Sequence, residues 1–273
     1  MMAIQIDGVV LKNHKIKSSY YLLELDCPVI SSQAKPGQFV MLQISGLNYP
    51  LLRRPFSIYR SYPATHPRKS KRGHLFILYK KVGLGTEIMT AFQKGQKVNL
   101  IGPLGNGYTL PPLPSPSGVI LIGGGVGIAS LLPLAETLRD QKLFIFIGGR
   151  TKDDVLCEKE FGQGGRSKVF IATEDGSNGR KGTVISLFLS KMEQFHQNNT
   201  LYIYSCGPDG MLKALSKKLR SKEWSVQASL ESRMGCGIGA CWGCVIKTRD
   251  PQRPYQRVCK EGPVFNLKEI DWE

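Results

Sequence analysis

Residues 1–110 alternate between apolar and polar positions in short stretches, with Gly, Pro and Asn between them roughly every ten residues. Such alternation indicates strands that bury one face, and this spacing of turn residues is typical of an antiparallel barrel or sandwich. One short helix is expected from Thr86 to Phe92, with Thr86 as its N-cap. The predicted strands are Ile4–Val10, Tyr20–Leu25, Gln38–Ile44, Leu75–Lys81 and Lys97–Ile101.

The pattern changes after a Pro- and Ser-rich segment, residues 111–118, which interrupts helix and sheet because proline lacks a backbone N–H. Apolar strands then alternate with helices, and this order predicts a parallel, doubly wound sheet. The predicted helices run from a glycine turn to about Arg139, over residues 183–195 and over residues 208–222. The predicted strands are Val119–Ile122, Leu143–Ile147, Val169–Ala172 and Leu201–Ser205.

The last part of the chain, from about Ser229, has no helical period and is dominated by glycine and cysteine. About 45 residues are too few to bury a large core, so we expect bound metal to hold this tail together. Three domains are therefore predicted: an antiparallel β-barrel at 1–112, an α/β nucleotide domain at 118–228 and a small C-terminal metal domain at 229–273.

Composition and charge narrow the function classes. With 41% hydrophobic and 21% charged residues the chain is typical of a soluble globular protein, and no run reaches the roughly 18 apolar residues that span a bilayer. The N-terminus lacks a signal-peptide pattern, so a cytoplasmic protein is expected. The net charge of +16 suits nucleic acid, an acidic membrane surface or an acidic partner, but we interpret it as a solvated basic surface. Its densest run, residues 66–72, is predicted to be a hairpin loop, and no nucleic-acid or membrane partner is expected.

Four of the seven cysteines lie in the last forty residues, in the spacing C-x4-C-x2-C with a fourth cysteine 15 residues later. Plant-type [2Fe–2S] ferredoxins have the same order of ligands. The glycines between these cysteines permit tight turns that aim backbone N–H groups at sulfur. Zinc, which usually takes two C-x2-4-C pairs roughly a dozen residues apart, and purely structural thiols are the alternatives. The predicted cluster ligands are Cys236, Cys241, Cys244 and Cys259.

Two turns at the ends of predicted strands favour a dinucleotide site. The first follows a strand and opens a helix, a setting that suits a pyrophosphate. The second ends a later strand, at the edge where open sheets bind ligands. Cys206 in the second turn would lie near the nicotinamide, although a small buried apolar thiol is the alternative. The residues of the two turns are Gly123, Gly124, Gly125 and Gly127, then Cys206, Gly207 and Pro208.

Two segments of the first domain suit a flavin. In Arg54-Pro-Phe-Ser57, an arginine and a serine can meet phosphate and ring polar atoms while Phe56 offers an aromatic face; the alternative is a strand with an incidental charge. Further on, Leu78-Tyr-Lys-Lys-Val-Gly-Leu-Gly85-Thr86 combines glycines with a helix start, which suits a pyrophosphate.

Together these motifs resemble the ferredoxin–NADP reductase superfamily. RRPFSI, LYKKVGLGT, ESRMGCGIGACWGC and RVCKEGPVF resemble more closely the electron-transfer subunits of class 1B dihydroorotate dehydrogenases. That resemblance implies the four cluster ligands, NAD as the dinucleotide and a set of FAD contacts. Lys80 departs from the more common arginine and cannot grip a phosphate bidentately. The implied FAD contacts are Arg54, Pro55, Phe56, Ser57, Leu78, Tyr79, Lys80, Gly85 and Thr86.

The resemblance also implies a partner. It is an FMN-containing catalytic subunit that oxidises dihydroorotate in pyrimidine (UMP) biosynthesis, in an assembly with two chains of each kind. Within the same layout the chain could instead serve another oxidoreductase that handles sulfide, sulfite or ferredoxin, and a basic zinc module that binds nucleic acid is a remoter alternative. The residues leave NAD or NADP open, since Arg150 and Lys152 can meet a 2′-phosphate or be solvated. Trp242 in the cysteine loop is predicted either to dock the partner or to pack back on the barrel.

Overall fold

The computed structural model describes residues 3–45, 49–65, 72–113, 118–163, 166–195 and 201–272. Its first part is a seven-stranded antiparallel sheet with strand order β4-β3-β7-β1-β2-β6-β5. A short helix, α1 (Pro28–Gln33), follows β2, and a second, α2 (Leu84–Thr90), follows β6. The strands are β1 (Ile4–Lys17), β2 (Tyr20–Asp26), β3 (Phe39–Leu42), β4 (Arg54–Ser57), β5 (Arg60–Tyr62), β6 (His74–Lys80) and β7 (Lys97–Leu104).

This sheet curls until its two ends meet. The edge strands β4 and β5 are separated in the chain only by Ile58 and Tyr59, and the backbone there bonds to both halves of the sheet: Ile58 N–H donates to Gln38 O and Tyr59 N–H to Phe76 O. Alternate side chains fill the interior, where Leu23 and Ile77 are fully buried. The antiparallel barrel predicted from the alternating pattern is therefore present.

Two local predictions in the barrel were wrong. β1 continues past Val10 to Lys17, because its polar second half still pairs with β2 through to Lys17 and Tyr20. The helix begins at Leu84, and its N-cap is Gly83. Thr86 lies inside the first turn, where its hydroxyl oxygen accepts the N–H of Gly83 at 3.2 Å, so it serves the cap from the third helical position. The basic run at 66–72 lies outside the described residues except for Arg72.

The second sheet has the order β11-β10-β9-β8-β12-β13-β16 and is parallel except for its last pair. Its order reverses direction between β8 and β12, which creates the crevice where open α/β sheets bind ligands. Helices α3 (Leu132–Thr137), α4 (Glu158–Gly162), α5 (Val184–Lys191) and α6 (Asp209–Leu219) connect the strands. The strands are β8 (Val119–Gly124), β9 (Leu143–Gly149), β10 (Ser167–Thr173), β11 (Arg180–Lys181), β12 (Tyr202–Cys206) and β13 (Ser225–Ser229).

The segment after the glycine turn differs from the single long helix that we expected. A 3-10 helix occupies Gly125–Leu131, and the α-helix that follows is only α3. Pro133 explains where α3 begins, because a residue without an N–H is tolerated only in the first turn of an α-helix.

The cysteine-rich tail forms a small hairpin, β14 (Val245–Lys247) with β15 (Tyr255–Arg257), and then β16 (Val264–Asn266). β16 pairs antiparallel with β13 and so extends the nucleotide sheet. Phe265, Leu267 and Ile270 are buried in the same core as that sheet. Apolar packing therefore anchors the tail together with any metal, which the sequence alone did not reveal. Over the described residues, no helix reaches the length and apolarity that crossing a membrane requires.

Candidate cofactor sites

The four predicted cluster ligands converge from two stretches of the tail. Three lie in the loop that leads into β14, and Cys259 follows β15. The hairpin register places Val245 opposite Arg257, which brings Cys244 beside Cys259. The N–H of Cys259 lies 3.4 Å from Cys244 Sγ, and the N–H of Val258 donates to Cys244 O at 3.0 Å. The hairpin therefore builds one pair of thiols.

The second pair is Cys236 and Cys241, which the loop itself brings together. The N–H groups of Ala240 and Cys241 lie 3.3 and 3.4 Å from Cys236 Sγ, and the N–H of Gly243 lies 3.4 Å from Cys241 Sγ. Burial opposes ionisation of Cys236, but the backbone N–H groups of Cys241, Ile238 and Ala240 lower its pKa to about 6. Donors aimed at sulfur are what a thiolate-bound, negatively charged centre needs.

The arrangement in pairs distinguishes between the candidate metals. The Cys236 and Cys241 thiols interact with each other, as do those of Cys244 and Cys259. Two thiol pairs suit a centre with two metal ions, as in a [2Fe–2S] cluster, whereas structural zinc needs four ligands around one point. The cysteines present therefore fit the iron–sulfur cluster.

A cavity of about 320 Å³ lies where the three parts of the chain meet. We call it the flavin cavity, after the contacts predicted for it. Most of the predicted flavin contacts line it, from the strands β4 and β6 and the start of α2. The nucleotide domain and the first residues of the tail close the other walls. The predicted contacts in the lining are Pro55, Phe56, Ser57, Leu78, Tyr79, Lys80 and Thr86.

Arg54 and Gly85, the other two predicted flavin contacts, lie next to each other outside this lining. A β-carbon built on Gly85 would be 3.5 Å from Arg54 Nε. In the described part of the chain no carboxylate pairs with the Arg54 guanidinium, which bonds only to the carbonyls of Leu52 and Arg53. An unpaired cation against an open backbone fits a phosphate group, while the aromatic rings of Phe56 and Tyr79 fit the cavity side of a flavin.

A second cavity, of about 800 Å³, follows the carboxyl edge of the parallel sheet. We call it the dinucleotide cavity, after the contacts predicted for it. Its wall includes Gly124, Gly125, Gly127 and Pro208, four of the predicted dinucleotide contacts. Gly125 has φ +53°, a conformation that favours glycine, and a β-carbon on Gly127 would come within 2.8 Å of the Cys206 carbonyl group. The two cavities adjoin, since both are lined by Gly127 and Lys80.

Three predicted dinucleotide residues lie behind this wall. Gly123 is buried, and a β-carbon there would be 2.3 Å from Ile128; one on Gly207 would be 2.6 Å from Met211. Their small size therefore serves packing. Cys206 is also buried and lines neither cavity, and burial raises the pKa of its thiol to about 12. It interacts with Ser130 and Ser229, which do line the flavin cavity.

Several residues of the site were not predicted from sequence. Glu231 lines both cavities, and although part of its surface is open to solvent, the protein around its carboxyl group and the nearby Asp209 raise the pKa of that group. Its position directly before the cysteine motif is a signal that could have identified it. Asp154 accepts hydrogen bonds from Lys80, at 3.0 Å, and from Tyr20. Lys80 is thus paired with a carboxylate of the nucleotide domain.

Comparisons with known proteins agree with this geometry. Residues 231–271 match the family model for the iron–sulfur cluster binding domain of dihydroorotate dehydrogenase B, and residues 121–217 match the oxidoreductase NAD-binding domain. The electron transfer subunit of dihydroorotate dehydrogenase B (NAD(+)) from Desulforamulus reducens is 40% identical over the full length of both chains. The chain belongs to this family of electron transfer subunits. The family's subunit from Geobacillus thermodenitrificans is 36% identical over 96% of both chains.

Solved structures confirm the predicted fold. An NADH-dependent reduced ferredoxin–NADP oxidoreductase is 26% identical, with a TM-score of 0.82 over 97% of this chain and 90% of its own. A ferredoxin–NADP⁺ reductase from Neisseria gonorrhoeae with bound FAD and NADP shares the fold over 79% of this chain and 90% of its own, with a TM-score of 0.61. The two family models confirm an iron–sulfur cluster and NAD as cofactors of this electron transfer subunit, and its fold is one that a reductase solved with FAD shares. The residues that hold each cofactor remain predictions.

Proposed function

We propose that this chain carries electrons between NAD and an FMN-containing dihydroorotate dehydrogenase catalytic subunit, through bound FAD and a [2Fe–2S] cluster, in pyrimidine biosynthesis. The observation that carries the proposal is that the flavin cavity adjoins the dinucleotide cavity and is also walled by the start of the cysteine-rich tail. A flavin supplies the chemistry that this order requires, because it exchanges electrons in pairs with a nicotinamide and singly with a cluster.

The residues of the chain position these groups. The open backbone at Gly124, Gly125 and Gly127 lets a dinucleotide approach the sheet closely. Arg54 supplies a positive charge for the flavin phosphates, and Ser57 supplies a hydroxyl group in the cavity wall. The four cysteines supply the thiolates of the cluster.

The cluster loop, residues 236–244, supports a role in docking the catalytic subunit. Its side chains are unusually exposed for apolar residues: Ile238 is 51% exposed and Trp242 52%, and Tyr255 in the adjoining hairpin is 59% exposed. Trp242 stacks on Arg257, with the guanidinium carbon 4.4 Å from the ring centroid. An exposed aromatic beside a redox centre suits an interface in which the centre must approach a partner closely. The names of the relatives support a dihydroorotate-oxidising catalytic subunit as that partner.

The test is to purify the untagged chain together with its catalytic subunit and to analyse the complex. We expect an assembly of two chains of each kind, with about two iron and two acid-labile sulfide atoms per electron transfer chain. FAD should be present, and dihydroorotate should reduce NAD⁺ in preference to NADP⁺. Stoichiometric zinc without sulfide would contradict the proposal.

The docking role is tested with Trp242→Ala in the same complex. Interface anchors of this type typically contribute roughly 2 kcal/mol or more, so association should weaken by at least about 30-fold and dihydroorotate-dependent turnover should slow. Reduction of an artificial acceptor by NADH should be retained. Unchanged affinity and turnover would show that another surface docks the partner.

A ferredoxin-linked activity is the second candidate, because the similarity at 26% identity to a ferredoxin–NADP oxidoreductase extends over nearly the whole chain. Adding reduced ferredoxin to the purified complex distinguishes the two. On the favoured proposal NAD⁺ reduction depends on dihydroorotate, and ferredoxin does not replace it.

A further inference from the structure

One side chain holds the cluster loop from beneath. Arg257, at the end of β15, donates from Nη1 to Gly239 O at 2.6 Å, and its guanidinium lies under the Trp242 ring. Its Nε and Nη2 donate to the two carboxylate oxygens of Glu261 at 3.0 and 2.6 Å, a bidentate pair. Only 15% of the Arg257 side-chain surface is exposed. The loop between Cys236 and Cys244 is thus fixed to the hairpin that carries Cys259.

The loop needs such a support because its backbone is strained. Trp242 has φ +57°, one of three non-glycine residues with positive φ in the described part of the chain. A residue with a side chain persists in that region only where the surroundings hold it. Arg257 touches the ring of Trp242 and the carbonyl of Gly239, on the two sides of Cys241. By contacting the loop on both sides of Cys241, Arg257 therefore helps to fix the position of a predicted cluster ligand.

The pair is also an electrostatic device. Arg257 is two residues from Cys259, and its guanidinium bonds to Gly239 and stacks on Trp242 in the loop that carries the other three cysteines, so its charge lies close to the cluster ligands. A cluster becomes more negative when it gains an electron, so a nearby cation stabilises its reduced form and a nearby anion destabilises it. Arg257 and Glu261 oppose each other in this respect, and removal of either leaves the other charge uncompensated.

We propose that Arg257 and Glu261 form a positioning pair that holds the cluster loop and sets the reduction potential of the cluster, with Arg257 raising the potential and Glu261 lowering it. The inference rests on the proposed function in one respect, the [2Fe–2S] cluster at these four cysteines. Neither side chain is a predicted ligand, and both act through the loop and the charge that surrounds the cluster.

The test compares midpoint potentials in the purified full-length chain loaded with FAD and cluster, by redox titration monitored through the electron paramagnetic resonance of the reduced cluster. Arg257→Gln should lower the potential, because Glu261 is then unpaired. Glu261→Gln should raise it, because Arg257 is then unpaired. Arg257→Lys keeps the charge but loses the bidentate guanidinium contact. The cluster potential should then stay near the wild-type value, while iron is lost faster to a chelator.

The matched control is Arg253→Gln. Arg253 pairs with Asp250 in the turn of the same hairpin, but 72% of its side-chain surface is exposed, so its removal should leave the potential nearly unchanged. Shifts of Arg257→Gln and Glu261→Gln in the same direction, or no larger than the control shift, would overturn the electrostatic role.

Loss of the cluster from Arg257→Gln alone would support the holding role, and Glu261→Gln then decides the electrostatic one. Loss from Glu261→Gln as well, with normal loading of Arg253→Gln, would overturn the claim on potential. Zinc or no sulfide in the wild-type chain would contradict the proposed function itself, so the two failures are distinguishable.

Discussion

The cluster loop and the flavin cavity are built in opposite ways. The cluster site takes three of its four predicted ligands from one short stretch of chain, leaves Cys241 exposed and relies on backbone N–H groups to surround sulfur. The flavin cavity takes its walls from the barrel, the nucleotide domain and the tail, and its barrel strand β6 contributes buried Leu78 and Tyr79. One site is built mainly from contacts within the tail, whereas the other depends on the whole fold.

This difference sets how each site should respond to damage. A cluster needs all its ligands, so the loss of one thiolate should be close to all-or-none. A flavin contacts many groups, so the loss of one should be graded. If the two sites are separate in this way, either cofactor should be removable without the other.

The largest effect is expected from Cys241→Ser. The hydroxyl of serine ionises far less readily than a thiol and is a poor iron ligand, so iron and sulfide should fall to background and dihydroorotate-dependent turnover should be lost. FAD should remain bound, and NADH should still reduce an artificial acceptor. Iron, sulfide and flavin assays measure all three. Cys27→Ala, which removes a thiol buried in the barrel core, is the control and should retain the cluster. Loss of FAD from Cys241→Ser would show that the sites are not separable.

The next largest effect is expected from Arg54→Ala, which tests the graded response of the flavin site. Removal of a charge-assisted contact typically costs about 1.5–3 kcal/mol, or about 10- to 100-fold in affinity. Titration of the deflavinated chain with FAD measures it, and cluster content should be unchanged.

Arg53→Ala is the matched control for Arg54→Ala. The Arg53 guanidinium points to Asn99, donating to its backbone carbonyl at 3.1 Å and to its side-chain oxygen. Its loss should lower stability while FAD affinity stays within a few-fold. Equal loss of FAD affinity in both variants would mean that the effect of Arg54 is general destabilisation of β4.

The same contrast explains what could be predicted from sequence. The cluster domain was identifiable, and four cysteines could be predicted as its ligands, because a cluster needs fixed residue types at fixed spacing. The barrel and the parallel sheet were identifiable because burial on one face or both leaves a regular pattern. Thr86 was misassigned as an N-cap because a side-chain cap and a third-position contact look alike in sequence, and only the structure shows that the helix starts after Gly83.

Contacts between residues that are far apart in the chain leave no such pattern in the sequence. Lys80 and Asp154 come from different domains, and their 3.0 Å ion pair follows from the way the domains pack. Gly123 and Cys206 belong to motifs typical of a binding turn, yet tertiary packing places both behind the cavity wall. Neighbourhood in the chain predicted two turns that both line the second cavity, but not which of their residues reach its wall.

A smaller effect is expected where the cluster loop meets the barrel, at Gly237. This residue of the cluster loop has φ +72°, and a β-carbon on it would lie 2.4 Å from the side chain of Met41, which is fully buried in the barrel. Gly237→Ala therefore adds overpacking, typically about 1–3 kcal/mol, to the cost of a positive φ, roughly 1–2 kcal/mol.

Gly239→Ala separates these two costs. Gly239 has φ +86°, so the conformational strain is similar, but its β-carbon would meet the side chain of exposed Lys260, which can turn away into solvent. The difference between the two variants in free energy of unfolding, measured by urea denaturation of the loaded chain, reports the contact with Met41. Because Met41 belongs to the barrel that also walls the flavin cavity, Gly237→Ala should slow reduction of the cluster by NADH more than Gly239→Ala does, while FAD affinity stays unchanged in both. Equal behaviour of the two variants would mean that the loop is strained but not supported by the barrel, and the cluster site would then be independent of the barrel that walls the flavin cavity.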